Sequence, residues 1–191
     1  MKKITAQQIL ESVEGRCLQG ALDTEITAVS TDTRLAMDGA VFFALVGESF
    51  DANEFLDRAE KQKASVIICN KSYQSDNAKL VVIQVEDTLL ALQRFAAWYR
   101  KNLSIDVVGI TGSNGKTSTK DFTKAVLSAA FNVSATKGNF NNHIGLPLTI
   151  LSAEEADQAA VWEMGMNHPG EIAPLCRIAC LLYTSPSPRD A

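Results

Sequence analysis

From Gly109 to Ser118 the chain reads GITGSNGKTS, a glycine-spaced run that ends in a lysine and two hydroxyl residues. A polyphosphate carries several negative charges. Backbone N–H groups at a helix start meet them best where side chains leave room, as Gly112 and Gly115 do. Lys116 then offers a mobile cation for the β- and γ-phosphates, and the Thr117 hydroxyl offers a magnesium ligand. Gly112, Ser113, Asn114, Gly115, Lys116, Thr117 and Ser118 are therefore the expected ATP contacts. A strict Walker A pattern places glycine six residues before the lysine; Ile110 stands there, with Gly109 one position further out.

Glu163 is the other pointed residue. It closes the apolar run AAVW, where a buried carboxylate without a partner would be costly. A magnesium ion beside the glycine loop would satisfy it, and so would an ordinary salt bridge. Asn139, Asn141 and Asn142, in GNFNN, suit either the cap of the next helix or a substrate contact.

These groups need elements to hold them. Residues 105 to 110 (IDVVGI) read as a buried strand, and Phe122, Ala125, Val126 and Ala129 mark one face of the helix after the loop. Strand, glycine loop and helix form the setting a phosphate loop requires. A helix from about 144 to 151 and a strand at 159 to 164 continue the alternation, which predicts a parallel, doubly wound sheet. Upstream, residues 5 to 13 read as a helix, 53 to 62 have helical periodicity, and 26 to 30, 41 to 46, 66 to 69 and 81 to 85 are apolar segments. The fold class is thus α/β: a small α/β domain over 1–86, then a nucleotide-binding domain over 87–180 opened by a helix at 87 to 101, with Asp87 or Thr88 as its cap.

Bulk properties narrow the function. Of 191 residues, 46% are hydrophobic and 21% charged, and the net charge of −4 comes without a basic stripe, which disfavours nucleic acid. The N-terminus lacks the apolar stretch of a signal peptide, and no segment approaches a membrane span, so the expected compartment is the cytoplasm. Cys17, Cys69, Cys176 and Cys180, even with His143 and His168, lack zinc-ligand spacing. From about Leu181 the sequence LLYTSPSPRDA loses periodicity and reads as unfolded or foreign.

The segment TGSNGKT at 111–117 resembles the variant phosphate loop of the Mur ligase and folylpolyglutamate synthase superfamily. STDTR at 30–34, VFFALVGESFDANEF at 41–55, GNFNNHIGLPLT at 138–149 and EMGMNHPGEI at 163–172 extend the resemblance in order along the chain, and point within it to the Mur ligases. The resemblance implies an ATP- and magnesium-dependent amide-bond ligase of peptidoglycan synthesis, with UDP-N-acetylmuramoyl-tripeptide and D-alanyl-D-alanine as substrates and a monomer as the working form. It implies that Lys116 and Glu163 are catalytic and that Thr117 and Glu163 hold the metal. Ser30, Thr31, Asp32, Thr33 and Arg34 would then bind the nucleotide sugar, for which their hydroxyls, carboxylate and guanidinium are suited. From the residues alone STDTR reads as a capped turn with a surface ion pair. Phe42 and Phe43 suit the core as well as the sugar, and His168 has little claim to a direct role. The resemblance also implies that the rest of the central domain and a C-terminal domain are missing. The parallel sheet would then stop after about two strands, exposing an edge and an apolar face, and the chain alone would be inactive. Another superfamily ligase, or a nucleotide-binding NTPase module, is the alternative.

Overall fold

The computed structural model describes residues 1–183; most of the run from Leu181 lies outside the described residues. The chain opens with β1 (Ile4–Thr5) and α1 (Ala6–Val13). Thr5 and Gln8 close a reciprocal capping box at the helix start, and Ala6, Ile9 and Val13 turn inward. Next come β2 (Arg16–Gln19), β3 (Glu25–Ile26), β4 (Ala28–Ser30) and β5 (Ala40–Phe43). A 3-10 turn (Ala52–Phe55) runs into α2 (Leu56–Lys61), and β6 (Val66–Cys69) and β7 (Val81–Gln84) follow. These strands build a five-stranded sheet of order β2-β7-β6-β5-β4. It is parallel except for β2, which runs antiparallel to β7.

The apolar segment expected at 26 to 30 divides. β3 pairs with β1, and β4 pairs with β5, because the Thr27 N–H turns to the Gly39 carbonyl between them. Phe42 and Phe43 are both fully buried and belong to the core.

The second half contains α3 (Thr88–Lys101), β8 (Asp106–Ile110), α4 (Lys116–Leu127), β9 (Val133–Ala135), α5 (Gly145–Leu151), β10 (Ala159–Glu163) and α6 (Ile172–Ile178). Asp87 caps α3 through the N–H groups of Leu89 and Leu90. The inner face of α3, with Leu92, Phe95, Ala96 and Tyr99, packs against α1, α5 and α6. The Tyr99 hydroxyl accepts from the Lys2 N–H at 2.6 Å and donates to the Ala153 carbonyl at 2.8 Å, so it touches both halves of the chain.

The second sheet has three strands, in the order β8-β10-β9, all parallel. Of this sheet, β9 is the strand that the sequence does not predict; three residues with a serine in the middle give no apolar run. Side chains alternate along β10. Ala160, Trp162 and Met164 join the core with α3, α5 and α6. Glu163 takes the opposite direction, toward α4, from which the Thr117 hydroxyl reaches it.

The face of α4 expected from Phe122, Ala125, Val126 and Ala129 is open to solvent, with Phe122 75% and Val126 74% exposed. The helix turns Lys116, Lys120, Thr123 and Leu127 inward instead, a second set at helical spacing that contains two lysines and so escapes a search for apolar residues. Val108 on the edge strand β8 is also exposed.

Candidate functional site

The register of the small sheet puts the end of β10 beside the entrance to the glycine loop, because Glu163 pairs with Ile110. Beyond Ile110 the chain turns through residues 111 to 115 and enters α4 at Lys116. Gly112 has φ +144° and Gly115 has φ +75°, so conformation demands glycine there; nothing crowds the place of a Cβ at Gly115. Gly115 is the N-cap and makes no side-chain cap, which leaves the first N–H groups of the helix for an anion. Lys116 bends back, its Nζ donating to the Gly112 carbonyl at 2.8 Å.

Glu163 is 2% exposed and takes part in three hydrogen bonds, accepting two and donating one. Thr117 Oγ1 donates to Oε2 at 3.1 Å, Asn141 Nδ2 donates to Oε1 at 2.8 Å, and the Glu163 N–H donates to Thr136 Oγ1 at 2.8 Å, so two of the three fall on the carboxylate. Among the described residues no salt bridge reaches Glu163, and its two carboxylate partners, Thr117 and Asn141, are neutral. A neutral shell only partly offsets the cost of a buried charge, and a cation placed here would be well matched.

Among the described residues no group of three or more His, Cys, Asp or Glu side chains is placed to hold a metal. A single carboxylate beside a hydroxyl nevertheless suits magnesium, which keeps much of its water and takes the remaining ligands from phosphates. Thr117 and Glu163 supply that pair of oxygens.

The three asparagines do different things. Asn142 caps α5 through the N–H groups of Ile144 and Gly145, Asn141 orients Glu163, and Asn139 stands in a cavity of about 520 Å³ with Lys116, Asn141, Asn167 and Glu171. His168 is exposed, and its N–H, with that of Asn167, donates to Glu171, which holds the Glu171 carboxyl below its ordinary value.

STDTR follows the carboxyl end of β4, at the edge of the larger sheet where ligands of open α/β sheets lie. Arg34 grips Asp32 through Nε at 2.9 Å and Nη2 at 2.7 Å, and the Arg34 N–H adds a third contact at 2.9 Å. These bonds hold the Asp32 carboxyl at about 2. Ser30 closes the turn by accepting from the Asp32 N–H. The ion-paired turn read from the residues alone is therefore present. Thr31, Asp32, Thr33 and Arg34 also line a cavity of about 470 Å³, opposite Phe50, Phe55 and Arg58. Phe50 and Phe55 stack with centroids 5.3 Å apart and are partly exposed. Phe50 and Phe55 lie in the segment 41–55 that the resemblance sets against the nucleotide sugar, though neither stands out there individually, and Arg58 lies outside it. A further cavity of about 560 Å³ runs from Ser30, Thr31 and Asp32 to Phe140, Leu148 and Leu151, so the space beside STDTR meets the GNFNN segment.

Residues 110–183 match the Mur ligase middle domain family. The UDP-N-acetylmuramoyl-tripeptide--D-alanyl-D-alanine ligase of Bacillus subtilis is 43% identical over 180 residues, which cover 94% of this chain and 39% of that protein. The chain belongs to the Mur ligase family. Among solved structures, this Mur ligase chain is similar to MurF from Acinetobacter baumannii, with a TM-score of 0.86 at 35% identity over 94% of this chain and 39% of that one. It is also similar to the MurF ligase of Thermotoga maritima in complex with ADP, with a TM-score of 0.71 at 35% identity over 80% of this chain and 35% of that one. The Mur ligase chain thus spans about two fifths of the length of the relatives it matches.

Proposed function

We propose that the protein is a cytoplasmic, monomeric, ATP- and magnesium-dependent ligase that joins D-alanyl-D-alanine to UDP-N-acetylmuramoyl-tripeptide in peptidoglycan synthesis. The observation that carries this reading is the pair Thr117 and Glu163 at the mouth of a glycine loop, in a chain whose relatives are named for that reaction. In this reading residues 1–86 hold the nucleotide sugar through STDTR and residues 87–180 hold the nucleotide.

ATP supplies the phosphoryl group that turns the terminal tripeptide carboxylate into an acyl phosphate, and magnesium neutralises phosphate charge. The protein's part is placement and electrostatics. The N–H groups from Gly112 to Ser118 cradle the phosphates. Lys116 leaves the Gly112 carbonyl for the β- and γ-phosphates, a short swing for a flexible side chain. Thr117 and Glu163 hold the metal, and Asn141 keeps the Glu163 carboxylate turned toward it. Asn139, across the cavity from Lys116, contacts the incoming substrate, while Asn142 shapes the loop by capping α5. Arg34 and the Phe50 and Phe55 pair suit the diphosphate and base of a uridine nucleotide.

Calorimetric titration of the chain with ADP and magnesium, and separately with UDP-N-acetylmuramic acid bearing no, one, two or three amino acids, tests the reading. Saturable binding of ADP and a preference for the tripeptide are expected. Preference for a shorter precursor would point to another ligase of the family, and ADP binding with no nucleotide-sugar binding would leave only a nucleotide-binding module.

A further inference from the structure

Lys120 is 6% exposed, on the same helix as Lys116 and Thr117 and one turn further along, with no phosphate role to explain it. Its ion pair with Asp121, at 3.2 Å, does not account for the burial, because the Asp121 side chain is 64% exposed and an outward lysine would reach it equally well. Desolvating an ammonium is costly, so an inward lysine needs an acceptor there. That acceptor is the Thr136 carbonyl, 3.2 Å from Nζ.

Thr136 is itself 3% exposed and sits one residue beyond the end of β9. Its N–H donates to the Val161 carbonyl, its carbonyl accepts from Lys120, and its hydroxyl accepts from the Glu163 N–H at 2.8 Å. The last bond replaces a strand. The Met164 N–H goes to Ile110 on the β8 side, so the Glu163 N–H points the other way, to where β9 has already ended. Without the Thr136 hydroxyl that buried N–H would have no partner, and the end of β10 would be held from one side only.

We propose that Lys120 and Thr136 are positioning residues for the divalent metal at the phosphate loop: Lys120 fixes the Thr136 backbone, and the Thr136 hydroxyl fixes the backbone of Glu163. The helix that brings Thr117 and the strand that brings Glu163 are thereby tied at a second point, one turn away from the metal oxygens. The inference rests on the nucleotide and magnesium reading above and adds two residues to it.

The test is a titration of the 191-residue chain with Mn²⁺, followed by electron paramagnetic resonance in the presence and absence of ADP, beside an ADP titration without metal. Thr136→Val is expected to weaken ADP-dependent Mn²⁺ binding about tenfold or more while Thr136→Ser stays within about twofold, since groups that orient a metal-binding carboxylate commonly carry that much affinity. Metal-free ADP affinity should be the same in all variants. Lys120→Met, which cuts the tie from outside the sheet, should lower Mn²⁺ affinity in the same sense and decides the matter alone if Thr136→Val does not fold. Wild-type Mn²⁺ affinity in either folded variant, including one whose only change is a lower melting temperature, overturns the inference. ADP binding without any gain in Mn²⁺ affinity in the unaltered chain, or a Glu163→Gln variant that binds Mn²⁺ normally, would instead overturn the magnesium reading, and this inference with it.

Discussion

The Thr117 hydroxyl donates to the Glu163 carboxylate across 3.1 Å, joining the first turn of α4 to the last residue of β10 over a sequence separation of 46. A hydroxyl oxygen and a carboxylate oxygen at that spacing satisfy each other, and under the proposed function both would be available to one cation. The proposed site would therefore need no rearrangement of these two residues.

A buried carboxylate with only neutral partners carries a desolvation cost, which Glu163→Gln should relieve. The variant is expected to melt at or above the temperature of the unaltered chain without ligands, yet to lose the extra stabilisation given by ADP with magnesium. Differential scanning calorimetry with and without Mg-ADP measures both. A lower unliganded melting temperature would mean that the charge itself holds the site together.

Lys116→Ala removes the mobile cation while leaving the Gly112 and Gly115 turn intact. A charge-assisted contact is worth about 1.5–3 kcal/mol, so ADP affinity should fall about tenfold or more. If the proposed ligase activity is present in the full-length protein, the same change should cut turnover by about a hundredfold or more. Undiminished ADP binding would make Lys116 a solvated bystander.

Asp32 offers a check on the STDTR turn by pH. Its carboxyl, held at about 2 first by the Arg34 side chain and then by the Arg34 N–H, lies below its unfolded value. Its stabilisation is therefore complete above the ordinary aspartate range of about 3.9 and fades as the pH falls toward 2. Arg34 is largely exposed, so the effect on stability is small, and the titration itself is the better observable. Carbon-13 NMR should place the Asp32 midpoint near 2, and Arg34→Ala should raise it toward the ordinary range. The same substitution should weaken binding of UDP-N-acetylmuramoyl-tripeptide, and indifference of both readouts would remove Arg34 from the site.

Tyr99→Phe leaves the Lys2 N–H and the Ala153 carbonyl without their shared partner. Losing the hydrogen bonds of a buried hydroxyl costs about 1–3 kcal/mol, and urea unfolding should report a loss of that size with little change in slope. No measurable change would mean that water replaces the hydroxyl.

Much of the site was legible because its residues are adjacent in sequence: a glycine loop declares itself within seven residues, and a glutamate after AAVW is conspicuous for its charge. What escaped was long-range. Thr136 and Lys120 look ordinary until the fold brings the Thr136 hydroxyl to the Glu163 N–H and Lys120 to the Thr136 carbonyl. Asn141 and Asn142 cannot be told apart in GNFNN, since only the fold decides which faces the carboxylate and which faces the helix start. In the fold, longer strands with unbroken apolar runs such as 66 to 69 and 81 to 84 were found, while β2 and β9 were missed because partly exposed residues give no clear period. The inward face of α4 was misjudged for the opposite reason: the apolar stripe was real, but it faces solvent.

One apolar cluster runs without a break from Ile9, Val41 and Ile68 through Phe95 and Tyr99 on α3 to Leu146, Trp162 and Leu175. The two sheets are therefore expected to melt as one thermodynamic unit. If both proposed sites are occupied as argued, linkage would make each report on the other: nucleotide taken up at the glycine loop would protect the amides of the distant five-stranded sheet from exchange, and a ligand at STDTR would do the same for β8 and β10, with no movement of either sheet.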